Sequence, residues 1–158
     1  MLNVGIGECV ISRDPSEIII THALGSCVAL IIHCNHTKHT AMAHIVLPEN
    51  SGIRNQVLYK MKPGYFATDI VPIMVDYFLI KLGCSKNQLD VYLVGGAVSG
   101  QTTDRFLVGQ KNKAMVNHLI RRYGLSMDDS ETGDRYSRTV TVKVSNGQVH
   151  VKRQNMIL

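Results

Sequence analysis

The sequence lacks the patterns that mark a stapled, membrane-spanning or nucleotide-binding chain. Its four cysteines, Cys9, Cys27, Cys34 and Cys84, fall at irregular intervals and form no C-x-x-C pair. That argues against a disulfide framework or a zinc ribbon and for free thiols in a reducing compartment. No apolar run approaches the ~20 residues of a membrane helix. "MLNVGIGECV" has neither the charged start nor the apolar core of a signal peptide, so a cytoplasmic protein without membrane insertion is expected. No Arg/Lys run is interleaved with aromatics. The net charge of +5, from 17 Lys and Arg against 12 Asp and Glu, is too dispersed to imply nucleic acid and favours an acidic partner surface. "VGGAVSG" at 94–100 carries neither G-x-G-x-x-G nor a Walker loop, so strand termination and close backbone packing account for its glycines. No repeat, low-complexity tract or linker divides the chain, and residues 1–158 read as one domain.

What is present is a soluble, globular composition, 45% hydrophobic and 18% charged over 158 residues. A chain of that length buries ~68–70% of its unfolded surface without a metal or a disulfide. "EIIITH", "CVALIIH" and "TAMAHIVL" read as strands, the last two joined by the polar loop "CNHTKH". Residues 53–64 are polar and carry no clear element. "TDIVPIMVDYFLIKLG" is expected to be a helix capped by Asp69, with Ile70, Ile73, Met74, Tyr77, Phe78 and Leu82 apolar, Gly83 as its stop and Pro72 tolerated in the first turn. A second helix is expected from Asn112, its cap, to Arg122, ended by Gly124. "LDVYLVGGA" reads as a buried strand between them. "RTVTVKV" and "QVHVKR" form a hairpin with Asn146-Gly147 at its tip. The order of elements predicts an α+β fold, helices covering a mainly antiparallel sheet system.

The chemistry concentrates around "THALGSCVAL" at 21–30. If strands 27–33 and 38–47 pair about a loop centred between Asn35 and His36, Cys27 falls opposite His44, with Cβ atoms about 4.5–5.5 Å apart. An imidazole there can take the thiol proton, giving a nucleophile for a carbonyl carbon. Gly25 and Ser26 make a small turn that lets a substrate approach, and the N–H of Cys27 or a neighbour can meet the developing oxyanion. Thr21, across the "HALGS" turn, can orient the imidazole through its hydroxyl or its carbonyl. The competing reading is that Cys27 is a packing residue entering a buried strand and His44 a structural histidine. The crowd of His33, Cys34, His36 and His39 matches no zinc spacing and reads as a polar hairpin loop, so no metal is expected.

"GIGE" near the start, "T-x-x-LGSCVA" at 21–29, "AHIVLP" at 43–48, "GGA" at 95–97, "VGQKN" at 108–112 and "TG…R" at 132–138 together resemble the CheD family of chemoreceptor glutamine deamidases. The resemblance runs in order through nearly the whole chain. It implies an α/β sandwich of two packed β-layers with helices on one outer side. It also implies a cofactor-free cysteine hydrolase that converts receptor glutamine side chains to glutamate, with receptor methyl esters as a second substrate in some members. The family's Cys–His–Thr triad maps onto Cys27, His44 and Thr21: nucleophile, base and orienting group. Gly25, Ser26, Gly95 and Gly96 are candidates for substrate or oxyanion support. The implied partners are the cytoplasmic domains of chemoreceptors and a CheC-type phosphatase. The competing function on the same frame is a non-catalytic adaptor that holds either partner. The chain departs from the family pattern in having Gly133-Asp134 for a Gly-Gly pair, "QKN" for "ERN", and Pro72 in the first helix. Asp tolerates the left-handed conformation that such a turn requires.

Overall fold

Short β-branched runs dominate the chain. The computed structural model, which describes residues 1–50, 62–98 and 107–155, folds them into nine strands within those residues. They are β1 (Leu2–Asn3), β2 (Cys9–Ser12), β3 (Ile18–Leu24), β4 (Val28–Cys34), β5 (Thr40–Ile45), β6 (Leu89–Gly95), β7 (Asp128–Thr132), β8 (Tyr136–Lys143) and β9 (Val149–Asn155). Helices α1 (Ala67–Asp76), continued by a π-helical turn over Tyr77–Lys81, and α2 (Val108–Arg122) complete the frame. The strands form a four-stranded sheet, β1-β3-β8-β9, and a five-stranded sheet, β2-β5-β4-β6-β7. Pairing is antiparallel except for β1 with β3 and β6 with β7. The fold is the expected α+β sandwich.

Strand β4 shows how the layers arise. All seven of its residues are buried, because both faces of its sheet are covered. Val28, Leu30, Ile32 and Cys34 pack with Ala67, Ile70, Val71, Met74, Phe78, Val116 and Ile120 of the helices. Ala29 and Ile31 alternate to the other face and pack with Ile19, Leu24, Val140 and Val142 of the four-stranded sheet. Both helices therefore lie on one outer side, and the second core lies between the sheets.

Several expectations change. The loop after β4 is closed by a pair at Cys34 and His39, the Cys34 N–H donating to the His39 carbonyl at 2.9 Å, so it is centred between His36 and Thr37. The observed register sets Ala29 opposite His44 and Val28 opposite Ile45. Cys27 is thus not directly opposite His44. Moving the loop centre by one position moves each partner by two, which keeps the face and costs only the direct opposition. His33, the last residue of the strand read as "CVALIIH", and Cys34, read as the start of the loop, both end β4, fully buried and pointing to opposite faces.

Helix α1 begins at Ala67, with Phe66 rather than Asp69 at the N-cap. Pro72 is consequently inside the helix, where its missing N–H leaves the Thr68 carbonyl without a ladder donor. Ile73 and Tyr77, expected in the core, are exposed; the buried stripe is Ala67, Ile70, Val71, Met74, Val75 and Phe78, a helical period that the two valines complete. Helix α2 begins at Val108, so Asn112 is a buried residue of its second turn and not a cap. The stops hold: Gly83 and Gly124 have φ of 68° and 71°. Strands β2 and β7 were not legible, β7 because "DDSET" has no apolar alternation and lies at a sheet edge. Most of the polar stretch at 53–64, and the end of "VGGAVSG", lie outside the described residues.

Candidate active site

Thr21 lies in β3 of the four-stranded sheet and His44 in β5 of the other, both facing the gap between the sheets and both buried. The Thr21 Oγ1 is 2.7 Å from His44 Nδ1 and donates to the Val4 carbonyl at 2.7 Å. A hydroxyl has one proton, and a carbonyl can only accept. The Thr21 proton is therefore committed to Val4, and His44 must donate its Nδ1–H to Thr21. That fixes the neutral imidazole as the Nδ1–H tautomer and leaves the Nε2 lone pair free to take a proton.

Cys27 precedes β4 by one residue and is half-buried. It packs on the inter-sheet core, on the face that Ala29 and His44 share. Extending the register puts Val46 opposite Cys27, which makes His44 its diagonal neighbour, at a typical separation of about 7–8 Å between backbones. An imidazole ring spans most of such a gap. Burial pushes the Cys27 thiol up and the His44 imidazole down. Both shifts favour the uncharged forms. Burial thus favours a thiol–imidazole pair over a thiolate–imidazolium one.

The backbone before Cys27 is held by its neighbours. The Gly96 N–H donates to the Cys27 carbonyl at 2.8 Å, and the Ala97 N–H to the Gly25 carbonyl at 2.9 Å. Gly95, at φ 109°, lies so close that a Cβ there would run into the Cys27 carbonyl. Of the residues marked for oxyanion support, Gly96 thus has its N–H committed to the loop. Gly25 does not carry the strained conformation of this turn; Ala23 does, at φ 53° beside a bulge in the β3–β8 pairing. Gly133 and Asp134, at φ 79° and 55°, form the left-handed pair expected of them.

Two buried polar residues near the site escaped the sequence reading. Asn112 donates from Nδ2 to the Ser26 carbonyl at 3.0 Å and the Val46 carbonyl at 2.9 Å. Arg138, 1% exposed, donates to the Gly133 carbonyl at 2.9 Å and sits 3.4 Å from Glu131, which also pairs with Arg153 at 2.6 Å. Since the Gly133 N–H donates to the Gly95 carbonyl at 2.9 Å, Arg138 braces the turn that holds Cys27. Both residues lie in the quoted strings "VGQKN" and "TG…R", but nothing in their spacing identifies a buried role.

Residues 46–153 match the family model described as CheD chemotactic sensory transduction, a match that begins just beyond His44. The relatives cover the earlier residues. A protein of Syntrophotalea carbinolica named "Probable chemoreceptor glutamine deamidase CheD" is 35% identical over 95% of this chain and 92% of its own length. One of Thermotoga maritima named "Chemoreceptor glutamine deamidase CheD" is 29% identical over 95% of this chain and 90% of its own. Among solved structures, the Bacillus licheniformis hypothetical protein YfiH aligns with a TM-score of 0.50 and 12% identity over 80% of this chain and 51% of that one, a likeness of fold alone. No helix among the described residues is long and apolar enough to cross a membrane. With a family model over two thirds of its length and a relative above 30% identity over nearly all of it, the chain belongs to the CheD family.

Proposed function

We propose that this protein hydrolyses the side-chain amide of particular glutamines on the cytoplasmic domains of chemoreceptors, with Cys27 as nucleophile, His44 as base and acid, and Thr21 as orienting group. The observation that carries the reading is the chain from the Val4 carbonyl through Thr21 to His44, which leaves a free imidazole nitrogen on the face that Cys27 shares. The names of the relatives supply the substrate class.

Because the resting groups are neutral, the thiol proton passes to His44 Nε2 as sulfur attacks the amide carbon. The imidazolium that forms keeps its Nδ1–H on Thr21. It then gives the new proton to the departing nitrogen, the C–N bond breaks, and ammonia leaves a thioester on Cys27. Water attacks that thioester, its proton goes to His44, the C–S bond breaks, and the thiolate is reprotonated. Glutamate and free enzyme result, and no cofactor enters the balance. A receptor methyl ester would follow the same path with methanol as the leaving group.

A second reading is favoured by the raised thiol pKa, which leaves Cys27 weakly nucleophilic at rest: an adaptor that binds receptors or a CheC-type phosphatase without modifying either. Incubation with receptor cytoplasmic fragments separates the two. Ammonia release matched by Gln-to-Glu conversion, and absent in Cys27→Ala, supports the hydrolase. Tight binding without conversion supports the adaptor.

A further inference from the structure

The carbonyls of Gly25, Ser26 and Cys27 are each held by a hydrogen bond. Two are held by backbone N–H groups of the turn after β6. The middle one is held by a side chain, the amide of Asn112. The same amide nitrogen reaches the Val46 carbonyl, two residues past His44 and opposite Cys27 in the extended register.

The β4–β5 pairing ends at Val28 and Ile45, and the Val46 N–H turns away to the Tyr65 carbonyl at 2.9 Å. Beyond the last pair, the Ser26 and Val46 carbonyls therefore meet as two acceptors with no backbone donor between them. A primary amide answers that arrangement, because one nitrogen carries two N–H groups. The reversed amide would aim Oδ1 at both carbonyls, so the two acceptors fix its orientation. The opposite end of the same side chain, Oδ1, is buried without a partner among the described residues. A residue serving only to fill space would not carry that penalty. Helix α2 packs closely on the segment after β6. Gly109, one turn earlier, is so tightly seated that a Cβ would collide with the Ala97 and Gly96 backbone.

We propose that Asn112 is a positioning residue for the reaction: its amide bridges the strand end that carries Cys27 to the strand end that carries His44, and so sets the approach of thiol to imidazole. The inference rests on the assignment of those two residues as nucleophile and base. It acts through them, since the Asn112 amide donates to two backbone carbonyls.

The test is the pH profile of Cys27 alkylation by iodoacetamide, read by mass spectrometry on the Cys27 peptide in wild type, His44→Ala, Asn112→Ala and Asn112→Asp. The aspartate variant keeps the volume and removes the paired donors, so it serves if the alanine variant does not melt cooperatively. The wild type is expected to show an inflection that His44→Ala abolishes. A cooperatively folded Asn112 variant should lose that inflection while alkylation at high pH, where the thiol ionises unaided, stays within about twofold. On receptor fragments, kcat should fall by tenfold or more with KM changed less than about twofold. The proposal is overturned if a folded variant keeps the wild-type profile and kcat, or if activity falls only with the fraction unfolded. It is also overturned if wild type and His44→Ala give the same profile, since there is then no coupling to hold. Because alkylation needs no substrate, a wild type that never deamidates receptors defeats the functional reading and leaves this result standing.

Discussion

His44 and His33 sit at opposite ends of the same inter-sheet face, each buried and each bonded through Nδ1 to a threonine hydroxyl at 2.7 Å. The resemblance ends at the second nitrogen. Thr40 is directly opposite His33 in the β4–β5 ladder, so that pair lies within one sheet, and His33 Nε2 is buried without a partner among the described residues. The β8–β9 turn closes over it, with Gly147 so near that a Cβ there would enter the imidazole ring. Thr21 reaches His44 from the other sheet and has its own proton committed to Val4, beside a half-buried thiol. The same residue types thus build a structural plug at one end and the proposed base at the other. What separates them is the tautomer lock and the thiol on the shared face.

The largest difference should appear when each histidine is removed. Cys27→Ala should abolish receptor deamidation, and His44→Ala should lower kcat by about 10²–10⁴-fold, the range of a lost general base. His33→Gln should leave kcat within about twofold and instead lower stability by about 1–3 kcal/mol, read from urea midpoints. Equal losses of kcat from both histidines would dissolve the distinction.

The threonines sharpen it further. Thr21→Val keeps shape and removes the acceptor that fixes the His44 tautomer, so kcat should fall about 10–100-fold, the equivalent of about 1.4–2.7 kcal/mol. Thr40→Val should change melting behaviour alone. A Thr21→Val enzyme with unaltered kcat would mean that the tautomer is set by something else.

The glycines give a smaller contrast, in stability of about 1–3 kcal/mol. Gly147→Ala forces a Cβ onto His33 at φ 72° and should destabilise the fold with activity per folded molecule intact. Gly95→Ala forces one onto the Cys27 carbonyl at φ 109° and should reduce both. Thermal melts run beside ammonia assays distinguish the two outcomes.

The smallest effect is that of pH. Burial holds both imidazoles below the ordinary value of 6.5, so between that value and the folded one the unfolded chain binds more protons. The contribution of the two imidazoles should be level above pH 6.5, fall as the pH drops below it, and level again once the folded imidazoles titrate. His33→Gln should remove one share of that slope, at most about 1.4 kcal/mol per pH unit. A slope unchanged in that variant would place the titration elsewhere.

The comparison also shows what the sequence could disclose. The strands of β4 and β5 are written in β-branched runs, and the "LGSCVA" and "AHIVLP" strings mark Cys27 and His44. Their relative placement was legible as to face, since strand period fixes which side chains share one, but not as to register, because loop centring depended on a Cys34–His39 closure that composition does not encode. The plug is half legible: "CVALIIH" places His33 in a strand, but its burial against a threonine is hidden in a histidine cluster that reads as polar loop. Asn112 looked like a helix cap because Asn is a common one, whereas its acceptors lie 86 and 66 residues away in sequence. The Thr21 lock depends on Val4, the residue after a two-residue strand too short to leave a periodic signal.

The central claim is that Cys27 becomes covalently bound to its substrate at the His44 end of this face. Acid quenching during turnover with a receptor cytoplasmic fragment, followed by mass spectrometry, addresses it directly. The account predicts a Cys27 peptide carrying the receptor glutamine as a thioester, with ammonia lost, in the wild type and in His33→Gln. Gln-to-Glu conversion that continues in Cys27→Ala would contradict it.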